Sequence, residues 1–224
     1  MATTSHHTIG ASEIAVWNWS GAGIRNFGDE LGPVLLERLG HRVRRVPDIA
    51  DAEVITCGSV LEFMQSARPG LVVWGSGLIR GGHCDAERFD VRAVRGRLTA
   101  QRLGVTVPLG DPGLLVSALW KRPPVRHQVG VVRHYVDDRV YSWADTVIDV
   151  TEPVDDVVTA IGRCAAIVSS SLHGLIVAQS YGIPAVRIHE ARLVGGNFKW
   201  ADYATALTRP VDEIQRELVA ALPL

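Results

Sequence analysis

The chain has 224 residues, of which 47% are hydrophobic and 21% are charged, so it can bury a substantial core and is neither a disordered nor a fibrous protein. Its 23 basic and 24 acidic residues leave a formal charge of -1, which removes the bulk electrostatic reason to expect a nucleic-acid-binding protein. The three cysteines are far apart and show no CxxC spacing, so neither a disulfide framework nor a zinc site is indicated, and a cytoplasmic location is expected.

The amino-terminal segment MATTSHHTIG lacks both the basic and the apolar region of a secretory leader. No stretch of the sequence approaches the roughly 20 consecutive apolar residues that span a bilayer. We therefore expect a protein without an integral membrane segment. Such a protein could still act on a substrate that is held in a membrane.

In the first 120 residues, short apolar runs alternate with helical patterns, which is typical of a parallel sheet covered by helices. Each predicted strand is bounded by Gly, Pro or Asp, and together they are residues 13–17, 42–46, 52–57, 71–74, 90–94 and 105–109. A helix is predicted over residues 29–39, with leucines along one stripe and Gly40 at its end. A second helix is predicted over residues 97–103, closed by Gly104.

Residues 121–127 read KRPPVRH, and a double proline between charges is unsuited to helix or strand, which predicts a linker. The alternation then restarts, with strands predicted at 128–133, 146–150, 165–169 and 185–189 and helices at 155–163, 172–181 and 211–221. We therefore expect the α/β class, with two parallel-sheet domains over residues 1–120 and 128–224, each large enough for a small doubly wound sheet. Ligands of such sheets bind beyond the carboxyl ends of the strands, so a cleft between the two halves is the expected site.

The strongest local motif is SSSLHG, which follows the strand predicted at 165–169. It predicts a serine cap and a helix that opens at Leu172. A helix N-terminus offers unpaired N–H groups and about half a positive charge, so Ser170, Ser171 and the following amides could seat a phosphate or a carboxylate. His173 would stand in the first turn beside that seat. The alternative is a serine cap with a histidine that bonds only to the backbone.

Two further loops follow predicted strands in the first half. In the segment GIRNFGDE, Asn26 and Asp29 stand at a helix start, where they could cap the helix, hold a sugar hydroxyl or supply a base. In the segment LVVWGSGLIRGG, Gly75 and Ser76 would let the backbone approach a ligand closely. That segment is not a GxGxxG fingerprint, which weakens a dinucleotide-dependent interpretation.

Three basic residues are further candidates for binding an anion. Arg95 and Arg133 follow apolar strands, where a guanidinium fork can point into a cleft and make a bidentate contact. Lys199 follows a glycine pair and could close over a ligand. For each of them the alternative is an ordinary surface position, with ion pairing for the two arginines.

Taken together, several segments resemble the polysaccharide pyruvyl transferase family, in matching order over most of the chain: NFGDE (26–30), VWGSGLI (73–79), VRGRLTAQRLG (94–104), GDPGLL (110–115), VGVVRH (129–134), SSSLHGLIVAQSYGIPAV (169–186) and KWADY (199–203). The resemblance implies two Rossmann-like domains in a GT-B-like arrangement, with the acceptor on the amino-terminal side and the donor anion on the carboxyl-terminal side. It also implies phosphoenolpyruvate as the donor substrate, a sugar or lipid-linked saccharide as the acceptor, and a pyruvate ketal as the product. No metal and no cofactor are implied.

The resemblance also implies roles for particular residues. His173 would be the proton donor or phosphate partner, and Asp29 would be the base for an acceptor hydroxyl. Arg133 is the first choice for the donor anion, ahead of Arg95 and Lys199. Two alternatives stay open: a nucleotide-sugar-dependent glycosyltransferase, whose diphosphate would suit the same helix N-terminus, and a non-catalytic binding protein on the same fold.

Overall fold

A computed structural model describes residues 13–222. Its first sheet contains β1 (Ile14–Val16), β2 (Val43–Arg45), β3 (Val54–Ile55), β4 (Val72–Trp74) and β5 (Asp90–Ala93). All neighbours pair in parallel, in the order β2-β1-β3-β4-β5. The amino-terminal segment MATTSHHTIG, which is predicted to lack the features of a secretory leader, lies outside the described residues. Among the helices of the described part, none has the length and apolar character needed to cross a bilayer.

The second sheet contains β6 (His127–Arg133), β7 (Thr146–Asp149), β8 (Cys164–Ser169) and β9 (Ala185–Arg187). These strands are also parallel, in the order β7-β6-β8-β9. Val132 of β6 pairs with Ser169 of β8, so the chain leaves both strands at neighbouring points of one sheet edge. The predicted α/β class with two parallel sheets is confirmed, while the GT-B-like arrangement stays a prediction.

Seven α-helices cover the sheets within residues 13–222: α1 (Phe27–Arg38), α2 (Arg97–Leu103), α3 (Val116–Leu119), α4 (Val154–Gly162), α5 (Leu172–Ser180), α6 (Phe198–Ala204) and α7 (Val211–Ala220). All five predicted helices are present, whereas α3 and α6 were not predicted. The strand predicted at 105–109 is wrong, because only an isolated bridge joins Leu109 to Val94. Pro108 lacks the N–H group that a strand interior would need to donate.

The two halves share one continuous cluster of buried apolar side chains, which runs from Val16 and Phe27 to Val132 and Ile167. The last helix of the chain packs back on the first half, where the Trp74 indole Nε1 donates to the Leu218 carbonyl at 2.8 Å. Residues 121–126 form neither helix nor strand. The domain division at residues 121–127 stays a prediction. The helices α6 and α7 follow this segment in the sequence, yet both contact the first half.

Candidate functional site

A cavity of about 370 Å³ opens where the chain leaves β1, β3, β6 and β8. Such a volume suits a small-molecule ligand. Five residues that the sequence singled out line this cavity, namely Asn26, Asp29, Ser171, His173 and Lys199. The N-termini of α1 and α5 therefore meet at one site, although they are far apart in the sequence.

The first wall is the start of α1, which follows β1. Asn26 caps this helix, because its Oδ1 accepts from the N–H of Gly28 at 3.2 Å and its Nδ2 donates to Asp29 Oδ2 at 2.8 Å. The N–H of Phe27 donates to the carbonyl of Val150 at 2.8 Å, which ties this turn to the second half. Burial raises the pKa of Asp29 to about 6, although His173, the Asn26 hydrogen bond and Lys199 favour its charged form. A carboxylate with such a pKa is suited to act as a general base near neutral pH.

The second wall is the start of α5, which follows β8. Ser171 is the N-cap residue, and its Oγ accepts from the N–H of Gly174 at 3.5 Å. The N–H groups of Leu172 and His173 have no helical acceptor at this position, and no hydrogen bond to either is found within the described residues. Free amides at a helix N-terminus are able to donate hydrogen bonds to an anion.

His173 is buried between the two walls and is 8% exposed. Its Nε2 lies 3.6 Å from Oδ2 of Asp111, a fully buried carboxylate. Its Nδ1 faces Gly28 on α1, where an added Cβ would lie 2.2 Å from that nitrogen. A glycine is therefore required at position 28, because α1 approaches the imidazole too closely for any side chain.

Lys199, on α6, supplies a cation to the same cavity. Burial lowers the pKa of its ammonium group to about 8, the positive charge of Arg95 adds to this effect, and the negative charge of Asp29 opposes it. Within residues 13–222, no ion pair or hydrogen bond engages this ammonium group. Lys199 is thus a desolvated cation whose charge is available to an incoming anion.

Arg133 and Ser170 are not brought to the cavity lining. Arg133 ends β6 beside Asp149 of β7, on the strand face opposite to its neighbour His134. Ser170 is fully buried, and its Oγ accepts from the N–H of His134 at 3.0 Å. Ser170 therefore fixes the loop after β6, and direct binding by Arg133 stays a prediction without a contact at this site.

Arg95 is likewise placed away from the cavity. Its guanidinium is fully buried and paired with Asp202, with an Nη2 to Oδ2 distance of 3.0 Å. Its Nη2 donates to the Leu78 carbonyl at 2.7 Å, and its Nη1 donates to Ser59 Oγ. Since Ser59 lines the cavity, Arg95 supports the wall from behind and has no exposed group with which to bind a ligand.

Gly75 and Ser76 are also buried behind the site. Gly75 has a φ of 87°, and an added Cβ would lie 2.2 Å from the Pro112 ring. The close backbone approach that the sequence predicted therefore serves an internal contact next to Asp111. Ser76 Oγ donates to the carbonyl of Gly58 at 3.0 Å and is fully buried.

The sequence reasoning missed several residues of the cavity lining. His134 and Tyr135 pack against each other with ring planes tilted by 35° and centroids 4.2 Å apart, and Trp19 and Phe63 form an aromatic pair with centroids 5.4 Å apart. Burial lowers the pKa of His134 to about 4, and the charge of Lys199 adds to this effect. The strand alternation would have found His134, because Arg133 and its neighbour must point to opposite faces.

Cys57 lies behind His173 and completes a buried group with Asp111. The potential ligand atoms of Cys57, Asp111 and His173 lie within 4.8 Å of one another. Burial raises the pKa of the Cys57 thiol well above its ordinary value, and the neighbouring Asp111 adds to this shift. The thiol is therefore protonated at neutral pH and behaves as a weak S–H donor.

Comparisons with known proteins were consistent with one another. A family model described as polysaccharide pyruvyl transferase matches residues 26–189. The succinoglycan biosynthesis protein ExoV of Rhizobium meliloti is 31% identical over 198 residues, which cover 81% of this chain and 61% of that protein. An uncharacterized protein of Acanthamoeba polyphaga mimivirus is 28% identical over 222 residues, which cover 85% and 74%.

A solved structure of a functionally uncharacterized protein from Klebsiella pneumoniae is also similar, with a TM-score of 0.52 and 13% identity over 88% of this chain and 90% of that one. At this level of identity, the likeness shows a shared fold alone.

Proposed function

The chain belongs to the polysaccharide pyruvyl transferase family, and on that premise we propose that it is a transferase. It would move the enolpyruvyl group of phosphoenolpyruvate onto a sugar of a cell-surface polysaccharide or its precursor, as a pyruvate ketal. One observation supports this most: a single cavity joins two unpartnered amides of α5, the Lys199 ammonium group, His173 and the Asp29 carboxylate. These groups are what a small, doubly anionic donor and a hydroxyl acceptor require.

The donor carries a phosphate and a carboxylate, so its site must hold two anionic groups. In this cavity the start of α5 would hold one of them, and Lys199 would hold the other. Both cationic features work in a largely desolvated place, where a charge-assisted contact is stronger than it is in water. His173 stands beside the amides, within reach of a donor that is seated on them.

The chemistry needs one group that gives a proton and one that takes a proton. The methylene carbon of the donor gains a proton and becomes a methyl group, while two sugar hydroxyls attack the neighbouring carbon and phosphate leaves. Of the two hydroxyl protons, one ends on the methyl group and the other on the departing phosphate, so the reaction balances. Asp29 would take a hydroxyl proton, and His173 would give one to the methylene carbon.

The acceptor would lie on the aromatic side of the cavity. Trp19 and Phe63 are 41% and 37% exposed and form a tilted pair, with 30° between their rings. Flat aromatic faces of this kind stack on the apolar C–H face of a sugar ring. Trp19→Ala should therefore raise the KM for the acceptor and leave the donor affinity unchanged. The three cysteines are free, which fits a reducing compartment, so the reaction would occur in the cytoplasm, at the inner membrane surface where the acceptor is lipid-linked.

Calorimetric titration of the protein with phosphoenolpyruvate tests the proposal, with phosphate release measured over a panel of acceptor saccharides. We expect donor binding that is weakened about 10- to 100-fold in Lys199→Met, since a hydrogen bond to a charged group contributes about 1.5–3 kcal/mol. Binding of uridine diphosphate sugars without binding of phosphoenolpyruvate would instead identify a glycosyltransferase. Donor binding without phosphate release from any acceptor would indicate a binding protein.

A further inference from the structure

Two buried polar atoms behind the cavity face each other without any other partner. Oδ1 of Asp111 accepts from the N–H of Gly113 at 2.9 Å, whereas Oδ2 makes no hydrogen bond within the described residues. Nε2 of His173 is likewise buried and makes none. They lie 3.6 Å apart. Because leaving a charged group buried and unpaired is costly, each of these atoms is the natural partner of the other, and a shift of about half an ångström would bring them to hydrogen-bond distance.

Asp111 is the acceptor of this pair. Burial alone would raise the pKa of its carboxyl group, but His173 and the Gly113 N–H more than offset this and lower the pKa below its ordinary value. An ionised carboxylate can only accept hydrogen bonds, so the imidazole must offer a proton at Nε2. A neutral imidazole carries one ring proton, and its other nitrogen, Nδ1, then has a free lone pair.

We propose that Asp111 is the positioning residue of His173, holding a proton on Nε2 so that Nδ1 is the nitrogen that exchanges protons in the reaction. The geometry supports this assignment, because Nε2 is directed into the protein while Nδ1 faces the first turn of α1 at the cavity wall. In each cycle Nδ1 would take up one proton and deliver it to the methylene carbon, and Nε2 would remain protonated throughout. This role in the reaction rests on the proposed function, whereas the pairing itself does not.

Five charged or titratable groups lie around the imidazole: Asp29 from α1, Cys57 from the loop after β3, Asp111 before the turn Pro112–Leu115, His134 after β6 and Lys199 from α6. Among these, only Asp111 lies within ion-pair distance of His173. Cys57, as a neutral thiol, is a weak S–H donor to the same carboxylate, whereas the imidazole is the stronger N–H donor. The competing possibility is a metal ion held by Cys57, Asp111 and His173, which would occupy Nε2 in place of a proton.

The tautomer of the wild-type protein tests the pairing without any substitution. Protein labelled with ¹⁵N-histidine is examined by long-range ¹H–¹⁵N correlation across a pH series, and the His173 signals are assigned with His173→Gln. We expect the neutral ring to show a protonated Nε2 and an unprotonated Nδ1. A neutral ring protonated at Nδ1, or a stoichiometric metal content with Nε2 bound to the metal, would overturn the proposal.

The role in turnover is tested with Asp111→Asn, matched by Asp48→Asn, because Asp48 likewise accepts from the N–H group two residues further on but lies outside the cavity lining. We expect kcat to fall about 10²- to 10⁴-fold in Asp111→Asn, the size of a general acid–base contribution, with little change in donor affinity and with His173 losing its Nε2–H tautomer. Asp48→Asn should retain both the activity and the His173 tautomer. A folded Asp111→Asn protein with undiminished kcat would refute the role of Asp111, whereas failure of the wild-type protein to bind phosphoenolpyruvate would refute the proposed function and leave the tautomer result standing.

Discussion

Replacing Asp29 by asparagine should stabilise the protein while it removes the base. Burial raises the pKa of this carboxyl group from 3.8 to about 6, and the neighbouring His173, Asn26 and Lys199 offset only part of that effect. A folded-state pKa above the unfolded value means that the folded protein binds the proton more tightly. Stability is therefore lost as the pH rises from about 4 to about 6, and the ionised carboxylate stays unfavourable above that window.

The size of the effect follows from the shift. A shift from 3.8 to about 6 corresponds to about 3 kcal/mol of free energy of unfolding at pH 8, and to about 1.6 kcal/mol at pH 5, where the titration is incomplete. The amide of the Asp29→Asn variant carries no charge to desolvate, and its oxygen can still accept from Asn26. For a chain of this size, about 3 kcal/mol raises the Tm by ~6–12 °C.

Urea unfolding of the wild-type and Asp29→Asn proteins at pH 5, 6, 7 and 8 provides the measurement. The free energy of unfolding should rise in the variant, and the gain should grow with pH, while phosphate release is lost. Asp149→Asn is the matched control, because the Thr151 N–H group lowers the pKa of Asp149, a shift opposite to that of Asp29. Removing the Asp149 carboxylate should therefore not raise the free energy of unfolding at any of these pH values. A gain that is the same at pH 5 and pH 8 would refute the reasoning.

Three further predictions concern residues at or behind the cavity. Gly28→Ala should displace the His173 imidazole, because the new Cβ would lie 2.2 Å from Nδ1. Urea unfolding should show a stability loss of about 1–3 kcal/mol, and kcat should fall by more than this loss explains. Donor affinity should weaken as the pH rises through about 8, where the Lys199 ammonium group loses its proton, and calorimetry in Lys199→Met should show no such step. Arg95→Met should lower the free energy of unfolding by about 3–5 kcal/mol, because it leaves Asp202 buried without its partner.

Gly82→Ala is the control for Gly28→Ala, because its new Cβ would approach only the flexible Glu62 carboxylate, at 3.1 Å. Full turnover in Gly28→Ala would show that the imidazole has room to move. A pH step that persists in Lys199→Met would assign the titration to another group. A fully stable Arg95→Met protein would contradict a structural ion pair.

The alternation of apolar and helical segments was sufficient to predict all nine strands of the described part and five of its seven helices, because those patterns follow from the period of each element. The short helix α6 was missed, since seven residues that include Trp200 and Tyr203 carry no clear helical stripe. The strand at 105–109 was predicted from its apolar residues alone, and the proline near its end prevented it.

At the site, short sequence motifs predicted where the helices α1 and α5 begin. A polar cap after an apolar strand was enough to locate Asn26, Asp29, Ser171 and His173, which all reach the cavity. The roles assigned to them stay predictions. Arg95 carried an equally good local signal, but its partner Asp202 lies 107 residues away along the chain, and this ion pair keeps the guanidinium inside.

The sequence by itself therefore determined the α/β class, the order of the strands along the chain and the start of α5 after β8, because each depends on neighbours within a few residues. Only the tertiary structure decided which side chains converge. The positions of Asp111 behind His173, of His134 in the cavity lining and of the aromatic pair Trp19 and Phe63 all depend on how separate elements pack. The periodicity of a segment depends only on residues that are close in sequence, so it carries no information on which distant segments pack together. These contacts therefore follow only from the tertiary structure.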